Sequence, residues 1–419
     1  MSGQKSVVIC GGGILGLTGA YVLAKEGHRV TLLEKNAEGG DSCVLGSAGY
    51  VSPSHMMPLA APGMVAFALR RMGDSRSPFF MRPRLDPGFL RWGWLFWRAA
   101  THRRVERAAP VLRDLALASR IWFEGFAAET NNPFGLEKHG LYNICRTPAG
   151  MEHVEEEARF LRQHGLEAEV LSAEETARRQ PGTKLSILGS AFFPIDAHLY
   201  PPRLVESLVG ALKKLEVDLR WNTEVRGWRT SGGRVAAAQT AAGEVSGDEF
   251  VLAGGSWSSA MAAQLGLRLP IEAGKGYSLT MKRPPHWPRA PMTCFESRIA
   301  VTPMGDQLRF GGTMELSGMN DTLRLERVRQ IIETAPLYLP EVREADFAGV
   351  APWFGRRPVS PDGLPYIGRF GPFRNLIAAC GHAMLGLTLA PGTAQLVADI
   401  IAERKPSFPL ELLDPNRYA

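Results

Sequence analysis

The sequence predicts an α/β fold: a Rossmann-type nucleotide-binding domain carrying an inserted α+β domain with an antiparallel sheet. Three observations predict it. The chain opens on a strand, a glycine turn, an apolar-periodic helix and a second strand ending in an acid. Far downstream, Glu249-Phe250-Val251-Leu252-Ala253 is a buried-type strand that ends in Gly254-Gly255, small enough for a second approach to a dinucleotide. Near the end, Leu376–Ala379 leads into a Gly381-His382 turn and a helix from about Gly386 to Glu403.

The opening unit carries the most chemistry. Ser6–Cys10 is apolar, Gly11, Gly13 and Gly16 fit G-x-G-x-x-G, and Glu34 follows the strand Arg29–Leu33. Gly11 permits the tight turn. Gly13 lets backbone N–H groups reach a pyrophosphate at the helix N-terminus, where the dipole favours an anion. Gly16 lets helix and strand pack closely, and Glu34 can accept hydrogen bonds from an adenosine ribose. A glycine- and serine-rich stretch follows, from Gly39 to Tyr50.

Residues 56 to about 130 read as helices broken by prolines, and Gly140–Arg146 alternates like a strand. Met151–His164 reads as an amphipathic helix with Val154, Ala158 and Leu161 on its apolar side. Pro202–Leu215 is a further helix with prolines at its start. Val217–Trp221 is a strand, and Val225–Arg229 with Val235–Thr240 form a hairpin about Ser231-Gly232-Gly233. Tyr277–Met281, Ile299–Thr302 and Gln307–Phe310 supply a separate antiparallel sheet. The nucleotide domain is therefore expected in three segments, 1–55, 195–262 and 345–419, and the substrate domain in two, 56–194 and 263–344.

With 419 residues and 45% hydrophobic content the chain can bury a large core. Its 48 Lys and Arg against 42 Asp and Glu give +6, and no basic tract suggests a nucleic-acid partner. Five scattered cysteines with no C-x-x-C argue against a disulfide framework or a metal site and for a reducing, cytoplasmic setting. No signal-peptide pattern precedes the first strand, and no apolar run is as long as a membrane span. The segment Phe89–Arg98, dense in tryptophan and arginine and followed by Arg103, Arg104 and Arg107, reads either as an interfacial helix or as an aromatic face packed inside the protein.

Several blocks together resemble the amino-acid-oxidising flavoproteins of the D-amino-acid oxidase and glycine oxidase group, and most of all the bacterial D-amino-acid dehydrogenase small subunits. Besides the N-terminal glycines they are Ala48–Pro53, Ala60–Gly63, Gly274–Thr280, Gly311–Glu315, Trp353–Pro365 and Gly381–Thr388, so the resemblance runs nearly end to end. It implies non-covalent FAD, hydride transfer from a substrate α-carbon to flavin N5, and hydrolysis of the imine to a 2-oxo acid and ammonia. The implied substrate is a small D-amino acid, with a compact cyclic D-imino acid such as D-proline or hydroxy-D-proline as a candidate. Electrons would pass to quinone or another carrier, and the protein would sit in the cytoplasm, up to the inner face of the cytoplasmic membrane. A peroxide-producing oxidase of the same fold, a non-catalytic flavin-binding subunit and an NAD-dependent dehydrogenase are the competing readings.

The same resemblance assigns the site residues. Arg357 matches the arginine of the family's G-x-R-P block and would grip the substrate carboxylate with its guanidinium fork, next to the cofactor. Its neighbour Arg356 is expected to be structural or solvent-facing. Tyr50, His55 and Tyr277 are candidate substrate-pocket residues, and Lys275 is either near the flavin or solvated. Ser47, Ala48 and Gly49 match a loop that passes the flavin ring in relatives, with Ser47 standing where asparagine is common. Gly381, His382, Met384, Leu385, Gly386, Leu387 and Thr388 form the turn and helix start expected near the flavin pyrimidine edge. Ile14, Leu15, Lys35, Val225, Gly254, Gly255 and Trp257 complete the expected cofactor contacts. A tyrosine that helps hold the carboxylate in glycine oxidase falls near Ala300, which implies a differently shaped pocket.

Overall fold

A computed structural model describes residues 3–66, 77–283 and 287–419. Val7, Val8, Ile9 and Cys10 are almost wholly buried, as a central parallel strand requires. Ser6–Cys10 lies between Arg29–Leu33 and Glu249–Leu252, parallel to both. Asp218–Arg220 extends the sheet beyond Arg29–Leu33, and Leu376–Cys380 extends it beyond Glu249–Leu252, both in parallel. Tyr366–Arg369 closes that edge antiparallel. The six strands thus come from chain segments far apart in sequence. The helices Ile14–Lys25, Pro201–Lys214 and Gly386–Ile401 share one buried apolar cluster with Ile9, Leu32 and Ile377 of this sheet.

The second sheet has nine strands among the described residues. It runs Pro352–Val359, Glu272–Lys282, Gln307–Leu316, Ile299–Met304, Met292–Cys294, Leu141–Cys145, Gly189–Phe193, Glu169–Ser172, with Phe79–Met81 alongside Gln307–Leu316. Its pairings are antiparallel except those of Met292–Cys294 with Leu141–Cys145 and of Phe79–Met81 with Met314–Leu316. Pro352–Val359, counted from sequence with the last nucleotide-binding segment, pairs with Glu272–Lys282 and so belongs to this sheet. Its run of glycine, arginines and proline carries no alternation that would have told the two sheets apart.

The expected hairpin turns at Gly232 (φ 57°) and Gly233 (φ 71°), the left-handed pair that a two-residue turn needs. A third strand, Gly243–Ser246, joins it. The helix read over Met151–His164 spans Pro148–Gln163, capped by the Thr147 hydroxyl, with Val154, Ala158 and Leu161 buried.

The stretch 56–130 departs most from its reading; residues 67–76 lie outside the described part. Phe79–Met81 is a strand, Pro87–Ala99 is a helix, and His102–Thr130 is one continuous helix despite Pro110. Proline removes a hydrogen bond inside a helix. Here Ala108, Ala109, Val111, Leu112 and Leu115 bury on both sides of it, and tertiary packing outweighs that local cost. Helix Gly386–Ile401 crosses at Gly392, whose N–H donates to the Ser119 hydroxyl at 2.9 Å and where a Cβ would stand 2.7 Å from Leu115.

Candidate functional site

The first turn after Ser6–Cys10 has room for almost nothing. Gly11 holds φ 123°, and a Cβ there would overlap the Ala253 carbonyl. A Cβ on Gly16 would overlap the Gly11 carbonyl, so Gly16 packs the helix onto the turn and stands behind the cavity wall, not on it. Gly12, which the three-glycine spacing does not single out, is equally constrained: its Cβ would sit 2.8 Å from the Glu34 Cβ. Glu34 accepts from the backbone N–H groups of Gly12 at 2.7 Å and Asn36 at 2.9 Å. Its carboxylate is thereby fixed facing the turn, with lone pairs left for a ligand. Gly13 is the helix N-cap and has no side chain over the first-turn N–H groups.

From this turn a cavity of about 680 Å³ runs across the molecule, within the size range of cofactor sites. Ile14, Leu15, Glu34, Lys35, Val225, Gly254, Gly255 and Trp257 line its nucleotide end. The Lys35 ammonium stands 3.7 Å above the Trp257 ring, joining two walls. Ser47, Ala48 and Gly49 line the middle. Buried Arg309 reaches from the second sheet and donates to the carbonyls of Leu45 (2.8 Å) and Ser47 (2.7 Å), which pins this loop. Nothing in the sequence pattern marks Arg309 for that duty.

His382, Met384, Leu385, Gly386, Leu387 and Thr388 also line the cavity. Gly381 does not: it stands behind, where a Cβ would meet the Tyr366 ring at 2.6 Å. His382 Nε2 pairs with the Thr393 hydroxyl at 2.9 Å, and burial lowers its pKa to about 3, so the imidazole is neutral. Helix Gly386–Ile401 starts with no side-chain cap, leaving first-turn N–H groups toward the cavity. The Thr388 hydroxyl donates to the Tyr50 carbonyl at 3.0 Å and ties this helix start to the loop before His55.

Arg357 projects from Pro352–Val359, where it is paired with Gly274 of the neighbouring strand. Its guanidinium lies across Gly276, so closely that a Cβ there would overlap it. Nη1 donates to the Thr313 carbonyl at 2.7 Å, and among the described residues no carboxylate pairs with it. Burial lowers its pKa. Cationic, lining the cavity and without an acidic partner, it is a ready anion site.

Its neighbours narrow two expectations, and Arg356 takes the structural alternative. Arg356 is not solvent-facing: it is buried, paired with Asp321 and Asp41, and donates to the Asn320 carbonyl at 3.0 Å. Lys275 is not solvated: it is buried and donates to Asn320 Oδ1 and the Thr322 carbonyl, each at 2.7 Å, with Glu315 3.9 Å away. Burial lowers its pKa. Arg356 and Lys275 both hold the 320–322 turn in place.

Tyr50, His55 and Tyr277 line the cavity, with different freedom. The Tyr277 hydroxyl is committed, donating to Glu315 at 2.8 Å inside the second sheet. The Tyr50 hydroxyl donates to the Met292 carbonyl at 2.8 Å. His55 touches the Ser54 hydroxyl at 3.3 Å, and burial, with the nearby Arg298 charge, lowers its pKa to about 4. Glu157 and Arg298 also line the cavity and escaped the sequence reading; Thr313 and Trp353 line it too and fall in blocks that carry the resemblance but were given no site role. Each lies in a stretch whose place at the site depends on the sheet order. All five cysteines are free.

The model of the FAD dependent oxidoreductase family, DAO, matches residues 6–400. A D-amino acid dehydrogenase of Granulibacter bethesdensis is 31% identical over 422 residues, covering 99% of both chains. One of Methylobacterium nodulans is 33% identical over 427 residues, covering 98% of this chain and 99% of its own. Among solved structures, glycine oxidase from Geobacillus kaustophilus aligns with a TM-score of 0.80 at 23% identity over 99% of each chain. L-proline dehydrogenase from P. horikoshii aligns at 0.74 with 19% identity, over 100% of this chain and 98% of its own. The structural likenesses speak to the fold.

Proposed function

The chain belongs to the DAO family of FAD dependent oxidoreductases, and from that premise we propose that its cavity is the place where a D-amino acid is oxidised. The protein is an FAD-dependent D-amino-acid dehydrogenase. The turn at Gly11–Leu15, the uncapped helix starts at Gly13 and Leu385, and the fixed Glu34 carboxylate fit a dinucleotide carrying a flavin. When bound, FAD supplies the two-electron acceptor; the protein supplies binding and orientation.

The observation that carries the substrate reading is the Arg357 guanidinium, half-buried over Gly276 with no acidic partner among the described residues. An α-carboxylate completes it, and the fork fixes the substrate's orientation. His55 and His382, both neutral, add no competing cations to that end. Tyr50 and Tyr277 contribute shape, since their hydroxyls are occupied. A compact cyclic D-imino acid such as D-proline or hydroxy-D-proline is the candidate substrate within this class. Quinone or another carrier is the candidate acceptor. The test is an anaerobic panel of D- and L-amino acids against flavin bleaching. Several D-amino acids are expected to bleach the holoenzyme and their L-enantiomers to leave it yellow; a panel that leaves it yellow throughout refutes the reading.

The acceptor and a location at the inner face of the cytoplasmic membrane draw support from helix Pro87–Ala99. Phe89 and Trp92 are buried, and the Trp92 indole N–H donates to the Val359 carbonyl at 2.9 Å. Leu90, Trp94 and Trp97 are 55%, 51% and 62% exposed, with Arg91 and Arg98 beside them. The two expectations for this segment are thus divided between two faces, and the outer one has the composition of an interfacial helix. No helix among the described residues is long and apolar enough to cross a membrane. Sedimentation with anionic vesicles at low salt is expected, with release at high salt and loss of binding in Trp94→Ser/Trp97→Ser. Protein that stays in the supernatant at low salt refutes membrane contact.

A further inference from the structure

Arg298 lines the cavity together with Lys35, Arg356 and Arg357, and its surroundings are unlike those of Arg357. Its backbone holds φ 53°, a left-handed conformation in a non-glycine residue, of the kind that clusters at ligand sites. The guanidinium packs 4.4 Å over the Phe295 ring and makes neither a hydrogen bond nor an ion pair within 4.0 Å among the described residues. Glu157 lines the same cavity. One of its oxygens accepts from Asn143 Nδ2 at 2.8 Å, and the other has no partner among the described residues. Both residues line this cavity and no ion pair within 4.0 Å joins them; Arg298 is exposed and Glu157 half-buried, and each charge acts on the other. Glu296, the other acid near Arg298, is occupied by Tyr338 and by the backbone of Arg146 and Thr147.

The Arg298 turn lies beside the strand segment that holds Arg357. A Cβ on Gly312 would stand 3.2 Å from the Arg298 carbonyl, and the next residue, Thr313, accepts the hydrogen bond from Arg357. His55 is close enough to feel the Arg298 charge. We propose that Arg298 and Glu157 act as a donor–acceptor pair that reads the substrate side chain, selecting D-amino acids that end in a neutral hydroxyl or carboxamide. The inference rests on the reading of this cavity as the site of D-amino-acid oxidation.

Charge balance argues for a neutral group. The α-carboxylate neutralises Arg357, and Glu157 neutralises Arg298. A second acid on the substrate would face Glu157 uncompensated. An apolar side chain would expel water from both groups and leave both unpaired, which is costly for polar atoms cut off from water. A hydroxyl or carboxamide accepts from the guanidinium and donates to the free Glu157 oxygen.

Anaerobic flavin reduction of the holoenzyme tests it with matched pairs: D-serine against D-alanine, D-asparagine against D-aspartate, and 4-hydroxy-D-proline against D-proline. The neutral polar member of each pair is expected to win by about tenfold or more in kcat/KM. In Arg298→Met that ratio is expected to fall to near one. The serine and asparagine arms separate hydroxyl from carboxamide selection. Ratios near one in the wild type, a preference for D-aspartate, or an unchanged ratio in Arg298→Met overturns the proposal while leaving D-amino-acid oxidation intact. Failure of every D-amino acid to reduce the flavin overturns the functional reading and this inference with it.

Discussion

Arg357→Met is expected to remove turnover while leaving the protein folded and yellow. The guanidinium is the charged half of a contact whose other half arrives with the substrate. Truncating one partner of a buried, hydrogen-bonded charge pair costs about 2–5 kcal/mol. At 1.36 kcal/mol per decade that is roughly a 30- to 5,000-fold loss in kcat/KM. The nucleotide turn at Gly11–Leu15 and the Glu34 carboxylate sit on other strands, so the flavin spectrum of the purified variant should match wild type. No carboxylate among the described residues depends on Arg357, so thermal stability is not expected to fall steeply. Arg357→Lys keeps a charge but loses the two-pronged geometry and should recover only part of the rate. Rapid-mixing measurement of flavin reduction checks these outcomes. Wild-type kinetics in Arg357→Met would remove this residue from substrate binding.

The sequence makes the nucleotide end legible because the chemistry there is local. Gly11, Gly13, Gly16 and Glu34 lie within one strand–turn–helix–strand unit, and backbone sterics dictate their spacing. The buried strands at 249–252 and 376–380 show as short apolar runs ending in small residues. The substrate end is different. Arg298, Glu157, Thr313 and Arg309 come from one strand, a turn and a helix that meet only through the order of the nine-stranded sheet. No periodicity in the chain encodes that order. Lys275 shows the same blindness. A lysine at a strand start is ordinarily solvated, but in this sheet Asn320 and Glu315 stand around it, and both lie tens of residues away. Pro110 errs in the other direction: a sound local rule is overruled by buried side chains contributed by helix Gly386–Ile401.

Gly276→Ala should nearly reproduce the activity loss of Arg357→Met, although it adds one methyl group and removes nothing. The added Cβ would overlap the Arg357 guanidinium, and the guanidinium is the flexible end of a long side chain, so it gives way. Yielding means leaving the Thr313 carbonyl and the place where it receives a carboxylate. Gly276 needs no left-handed backbone, and alanine in a strand loses less chain entropy than glycine does. Stability is therefore expected to stay within about 1 kcal/mol of wild type. Activity is expected to drop about four-hundredfold, the middle of the range for truncating the charge itself. The pair of substitutions supplies the decisive measurement. If Gly276 acts only by giving Arg357 its seat, the double variant Gly276→Ala/Arg357→Met should be no slower than Arg357→Met alone, a large non-additivity. Simple multiplication of the two losses would mean that the glycine serves the site by another route, such as room for the cofactor. Flavin content measured on the same samples separates that case.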